Sequence, residues 1–424
     1  MTATIETKST ATGGKSRLGG MAGGLRNRTA PLAAGKSWVL APLVAFAVTR
    51  LMVFIAGYLA EVAFVGNVGP NFWHVRPGNL LLDLWARFDS GFYIGIVEQG
   101  YWFDPSGGMS NVAFFPVYPL LVNLTAIVAR DTVLAAAIVS NLCLLGALLY
   151  LYKLTELEFG DAGTAQRAVF YIAAFPTAFF FSAIYTESAF LLFSVATMYY
   201  ARRHLWLYAG LMGMITSATR IVGVVMAGIV ALEWMRVHGW TISTCYRRAA
   251  WQNLGHGLRT DWRSLLPIAL IPLGILSYMI FLQVRFEDPI AFWTVQAAWN
   301  RENVGPLVII WQAISGLAKQ NFLAGIAWWQ VLIDLIVLFS ALIIAIPTWR
   351  RLGEHYALLI LIGMLVPAAS SIMSLSRYVL VLFPIFMMLA WWGRRPLLDR
   401  SILIGFATLL GLFTAIVVKW IFVA

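Results

Sequence analysis

The sequence predicts an all-α integral membrane protein, a bundle of about eleven crossing helices. Three observations predict it. Of 424 residues, 60% are hydrophobic and only 12% charged, with a mean hydropathy of +0.79, a balance too apolar for a chain surrounded by water. Uncharged runs at 132–152, 264–284 and 401–418 meet the length of a crossing helix, about 17–25 residues. Strand-like alternation of the barrel type is absent, which favours helices.

The net charge of +11 is spread over short Lys and Arg clusters between apolar runs. No continuous basic face results, so the clusters act as topology signals and no nucleic acid partner is expected. Cys143 falls in an apolar run and Cys245 in a basic stretch, so no structural disulfide is expected.

Positive clusters mark the inner membrane face, and consecutive inner clusters are separated by an even number of crossings. Residues 1–37 are rich in Thr, Gly, Ala, Lys and Arg and read as a disordered, basic, cytoplasmic tail. The remainder, 38–424, reads as one transmembrane domain. The run 39–64 is an uncleaved first crossing, oriented by Lys15, Arg17, Arg26, Arg28 and Lys36 on its inner side. Further inner clusters occupy 153–167, 201–206, 236–263, 348–355 and 393–400.

Parity then makes 65–131 a single long external loop. Its segment 113–128, "AFFPVYPLLVNLTAIV", carries two prolines near its start and is expected as an interfacial or re-entrant helix. The chain crosses inward at 132–152, outward at 168–183, turns at "YTES" and returns at 188–200. Two short helices fill 206–236 with Arg220 at their outer tip. Crossings at about 265–284, 324–346, 356–374, 376–392 and 401–421 follow, leaving 285–322 as a second external loop with Trp293, Trp299, Arg301 and Glu302.

The polar residues that this topology gathers outside are the candidates for chemistry. A helix through "WARFDSGFYIGIVEQGY" puts Trp85, Asp89 and Tyr93 on one side, at i and i+4 spacing. Asp89 is then either a general base on an aromatic platform suited to a sugar face or the cap of a helix starting at Ser90. Glu187 opens a crossing, where a helix N-terminus favours an acid in any case. Arg220, inside an apolar run, requires an anionic partner, either a phosphate or an acid such as Glu187. Arg377 and Tyr378 are interfacial anchors or ligands. Arg50 and Asp334 are ion-pair partners or polar lining. The five histidines show no HExxH-type spacing, so no metal is assigned, and the absence of a Walker loop or a GxGxxG in strand context disfavours nucleotide-driven work; no cofactor is expected.

The ordered set "RFDSGFYIGIVEQGY", "FFPVYPLL", "FPTAFFFSAIYTESAFLLFS", "ATRIVG" and "SRYVLVLFP" resembles the mannosyltransferases related to GPI mannosyltransferase II (PIG-V-like), of the GT-C glycosyltransferase class. The resemblance implies a GT-C-type helix bundle that moves a sugar from a polyprenyl-phosphate carrier to an acceptor hydroxyl, with inversion, on the outer or lumenal side of a membrane; the expectation for this chain is mannose as the sugar, a lipid or glycan as the acceptor and the external face of a bacterial plasma membrane as the place. The resemblance puts the catalytic base on Asp89; from the residues themselves, Arg220 is expected to hold the donor phosphate, and Trp85, Tyr93, Tyr185, Glu187, Arg377 and Tyr378 to bind substrate. Where the family has a "TRPTG"-like turn, this chain has "TRIVG" over 219–223. A transporter or flippase of a lipid-linked saccharide is the alternative, and a midplane site at Asp334 between pseudo-symmetric halves would mark it.

Overall fold

The computed structural model describes residues 37–64, 75–76, 78–299, 301, 304–320 and 325–423. The expected tail, apart from Ser37, and residues 65–74 of the expected first loop lie outside the described residues.

Helix α1, Ser37–Ala63, realises the first apolar run. A short turn α2, Leu80–Asp83, and helix α3, Ser90–Gln99, follow. The chain is not one helix from Trp85 to Tyr93, as expected from spacing. Phe88 takes a left-handed φ of 52°, and a residue in that region breaks a right-handed helix. Helix α4, Val117–Ala129, fills the expected interfacial segment. Pro116 precedes it and Pro119 sits in its first turn, where proline is tolerated because the amide would lack a helical partner. Its Leu124 and Val128 are 65% and 85% exposed.

Helix α5, Thr132–Phe159, starts where Asp131 accepts the Leu134 N–H, at 2.8 Å, and ends at Gly160. Helix α6, Ala162–Ala174, starts at Asp161 in the same manner but stops before Phe175 and Pro176. The expected crossing at 168–183 is therefore interrupted, and the chain continues through a 3-10 turn at Ala178–Phe181. Arg50 explains how this break is tolerated. Its guanidinium, buried inside the bundle, donates to the carbonyls of Ala173 (3.0 Å) and Ala178 (2.9 Å) and to the Ser182 hydroxyl (3.0 Å), satisfying backbone acceptors that the broken helix leaves open. Arg50 is thus no ion-pair partner of Asp334.

Helices α7, Glu187–Arg202, α8, Trp206–Ser217, and α9, Val225–Val237, run as expected, with Arg220 between the last two. Helix α10, Arg248–Thr260, leads through a 3-10 stretch into α11, Leu270–Phe286. The expected second outer loop contains a turn α12, Ala291–Thr294, and helix α13, Pro306–Lys319. Helices α14, Ile326–Arg351, and α15, Glu354–Ala368, precede a short α16, Leu375–Tyr378. Helix α17, Phe383–Trp392, is bent by 77° from the segment Leu375–Val381, so the expected crossing at 376–392 is not one straight rod. Helix α18, Pro396–Val418, closes the chain.

Among the described residues no strand occurs. Among the described residues five helical stretches are long and apolar enough to cross a membrane, Ser37–Ala63, Thr132–Phe159, Trp262–Phe286, Ile326–Arg351 and Pro396–Val418, and the bent pair raises this to six. The protein is a multi-pass membrane protein by this measure. Helix α5 packs along α7, α7 along α8, α8 along α11, and α1 along α18, while α16 is held against α14.

Candidate active site

Four residues from separate parts of the chain meet in one line of charge. The Asp89 Oδ2 lies 3.2 Å from Arg377 Nη1, Arg377 Nε lies 3.0 Å from Glu187 Oε1, and the same oxygen accepts from Arg220 Nη1 at 2.9 Å. Each is brought there by a helix end. Asp89 immediately precedes α3, and its side chain makes no capping bond to that helix, so its carboxylate is free for Arg377. Glu187 is the first residue of α7 and is fully buried, a position where the helix N-terminus and two guanidiniums together offset its desolvation.

Arg220 sits in extended backbone between α8 and the turn Ile221–Val224. The shape of "TRIVG" depends on its glycine: a Cβ at position 223 would lie 2.2 Å from the Thr216 carbonyl oxygen. Arg377 lies in α16, the short helix at the start of the crossing expected at 376–392. Asp334, at the middle of α14, accepts N–H bonds from Ser374 (3.1 Å) and Ser376 (2.8 Å), and Thr177 donates to the Ser376 carbonyl at 2.8 Å. Asp334 therefore acts through backbone, as the anchor of the turn that carries Arg377.

Tyr185 ties the Asp89 loop to this group. Its hydroxyl accepts from the Asp89 N–H at 3.1 Å and donates to the Arg87 carbonyl at 3.2 Å, while its ring lies 5.2 Å beneath the Arg377 guanidinium. Burial pushes the Tyr185 and Tyr93 phenols well above their ordinary range, which keeps both neutral. Tyr378 stands between cations: the Arg220 guanidinium lies 5.3 Å from its ring and Arg301 donates to its hydroxyl at 3.4 Å.

A cavity of about 1120 Å³ opens beside this group, and Asp89, Tyr93, Arg220, Arg301, Arg377 and Tyr378 all reach its wall. Leu361, Leu365, Val366 and Met373, with Ile221 and Val222, add apolar lining. Trp85 does not line it. Because the helix breaks at Phe88, Trp85 is buried against Phe54, with ring centroids 4.7 Å apart. The aromatic wall is instead Tyr93, Phe114 and Trp299, the Tyr93 and Trp299 rings standing edge-on to Phe114 at 5.0 and 6.2 Å.

Trp299 and Arg301, noted in the sequence only as loop contents, are thus part of the site. Their signal was compositional, a Trp and an Arg in an external stretch of an apolar chain. Phe422 also lines the cavity and packs on Phe88 at 5.2 Å, although the end of the chain carried no motif.

A second buried charge group ties the other ends of the same helices: Arg202 pairs with Glu158 and, at 2.6 Å, with Glu233, which also holds Arg236. Tyr356 donates to Glu158 at 2.9 Å. None of these residues lines the cavity. Asp334 does not either, and among the described residues no group of three or more His, Cys, Asp or Glu side chains is placed to hold a metal.

Residues 71–253 match the family model described as mannosyltransferase (PIG-V), the family whose motifs the sequence resembles, and the matched stretch includes Asp89, Glu187 and Arg220 but not Arg377. No curated protein matches the chain. Among solved structures, ArnT from Cupriavidus metallidurans bound to undecaprenyl phosphate is similar at a TM-score of 0.49 and 13% identity, over 91% of this chain and 76% of that one. The Archaeoglobus fulgidus oligosaccharyltransferase complex with zinc and sulfate gives a TM-score of 0.42 and 15% identity over 86% and 53% of the two chains. The oligosaccharyltransferase AglB from the same organism, in complex with an inhibitory peptide and a dolichol-phosphate, gives 0.40 and 14% over 88% and 55%. The chain spans about half the length of these archaeal enzymes.

Proposed function

We propose, with the match to the PIG-V mannosyltransferase family as premise, that the protein is a GT-C-type glycosyltransferase that moves mannose from a polyprenyl phosphate to an acceptor hydroxyl. The single observation that carries this is the line Asp89, Arg377, Glu187, Arg220 beside a cavity lined by both charged and apolar side chains. A lipid-phosphate sugar has the same division into an isoprenoid chain, an anionic phosphate and a polyol.

In this proposal the isoprenoid lies along Leu361, Leu365 and Val366, the phosphate meets Arg220 with Arg301 nearby, and the sugar packs on Trp299 and Phe114, whose flat faces suit its C–H groups. The acceptor oxygen attacks the anomeric carbon from the face opposite the phosphate, which inverts the centre. Its proton passes to the Asp89 carboxylate, about 30% exposed and so accessible from the cavity. The bond from the anomeric carbon to the phosphate oxygen breaks, and the departing polyprenyl phosphate gains one negative charge. In this reading Arg220 stabilises that charge, and Arg377, the next cation along the line, adds to it. Arg377 also holds Asp89, so the phosphate competes with Asp89 for one guanidinium and loosens the carboxylate when donor is bound.

On the topology expected from the positive clusters, the cavity opens at the external membrane face in this proposal. Purified protein incubated with radiolabelled polyprenyl-phosphate-mannose and a membrane lipid and glycan extract tests the proposal. Label moving from the carrier to an extract component supports it; a carrier that stays fully charged while a nucleotide sugar is consumed overturns it.

A further inference from the structure

The basic segment between α9 and α11 carries surface chemistry for which sugar transfer has no use. It lies at the far end of α9 from the cavity, and thirteen residues of helix separate the two by roughly 20 Å. On α10, Ala250, Leu254 and Gly257 form the buried stripe. Position 257 has no room for a side chain, since a Cβ there would lie 2.4 Å from the His238 ring.

At about 100° per residue, Trp251 and Leu258 come next around the helix, and they are 53% and 46% exposed. Arg248 and Arg259 follow, both exposed, and the neutral Gln252, His256 and Asn253 occupy the far side. The flanking turns repeat this chemistry with exposed Tyr246, Arg247, Trp262 and Arg263. Asp261 is the one acid in 241–266, and it is engaged, 3.4 Å from the His238 ring and accepting from Ser264 at 2.8 Å.

A buried stripe, then exposed apolar side chains, then arginines, then neutral polar groups is the gradient met on passing from protein through acyl chains and headgroups to water. We infer that α10 lies in the membrane interface, with Trp251 and Leu258 at the acyl boundary and Arg248 and Arg259 binding the phosphates of anionic phospholipids. The inference rests on the chain being embedded in a membrane and not on sugar transfer.

Full-length protein is examined by native mass spectrometry with phosphatidylglycerol or phosphatidylcholine added. Wild type retains phosphatidylglycerol preferentially, and Arg248→Gln with Arg259→Gln lowers that retention roughly thirty-fold, the effect of two interfacial arginines. Arg248→Lys with Arg259→Lys keeps most of it. Equal retention by wild type and the Gln variant overturns the lipid site.

A second readout tests the helix itself. Spin labels are placed at Trp251→Cys or Asn253→Cys in protein whose Cys143 and Cys245 are changed to Ser, reconstituted in bilayers. Oxygen reaches position 251 and a water-soluble nickel chelate reaches 253. Chelate access at both positions overturns the interfacial placement and leaves the face for a soluble protein partner.

Discussion

Asp89 and Arg377, 288 residues apart, share an ion pair of 3.2 Å at the wall of the cavity. The contact joins the last residue before α3 to a short helix held in place by Asp334, so the acid's position depends on three distant segments of chain. A residue that merely capped α3 would turn its carboxylate back to that helix, and Asp89 makes no such bond.

Arg220 is the next link. Arg220→Lys keeps the charge but loses the planar fork, and we expect the Kd for polyprenyl phosphate to rise about 10-fold, and about 100-fold in Arg220→Ala, the range of a charge-assisted hydrogen bond. Calorimetric titration checks this. Unchanged binding in Arg220→Ala, with lost stability recovered by a compensating change at Glu187, would assign Arg220 to the ion pair alone.

Glu187 is fully buried between two guanidiniums. Glu187→Gln leaves Arg220 without its acid and Arg377 with Asp89 alone, and removing one partner of a buried pair costs about 3–5 kcal/mol. Thermal unfolding in detergent should show a lowered Tm. A Tm equal to wild type would mean that water already screens the pair.

Asp334 positions Arg377 and does not touch the cavity. Asp334→Asn keeps one acceptor for the two N–H donors of the α16 turn, so we expect the protein to fold, acceptor KM to hold, and kcat to fall by about tenfold, the effect of a roughly 1–1.5 kcal/mol hydrogen bond felt through geometry. A variant with full kcat per folded molecule and only a lower Tm would reduce Asp334 to a structural role.

Topology is tested by cysteine labelling. In protein whose Cys245 is changed to Ser, single cysteines at the exposed positions 106 and 287, in the two loops expected outside with the site, should react with an impermeant reagent added outside the cell. Labelling of both positions from the cytoplasmic side alone would reverse the orientation and with it the external placement of the site.

Parity of the positive clusters assigned Asp89, Glu187, Arg220 and Arg377 to one membrane face, but their meeting in one line of ion pairs was visible only in the folded chain. The long crossings were legible from apolar length. What escaped was local backbone. Phe88 at a φ of 52° turned Trp85 away from the cavity, and no spacing rule signals a left-handed residue of that type. The break after α6 was hidden because Arg50 satisfies the exposed carbonyls from another helix. The role of Asp334 was hidden for the same reason, since its partners are backbone amides that side-chain pairing arguments do not consider. Trp299 and Arg301 reached the site by folding of a loop whose path the sequence does not fix.

The most direct test of the central claim compares wild type with Asp89→Asn in transfer from polyprenyl-phosphate-mannose at saturating donor. The amide keeps the shape of the side chain and loses its basicity. We expect normal expression, an unchanged donor Kd within a few-fold, and turnover lowered by about 10² to 10⁴, the contribution of a general base. Turnover within a few-fold of wild type in a correctly folded Asp89→Asn protein would contradict the account.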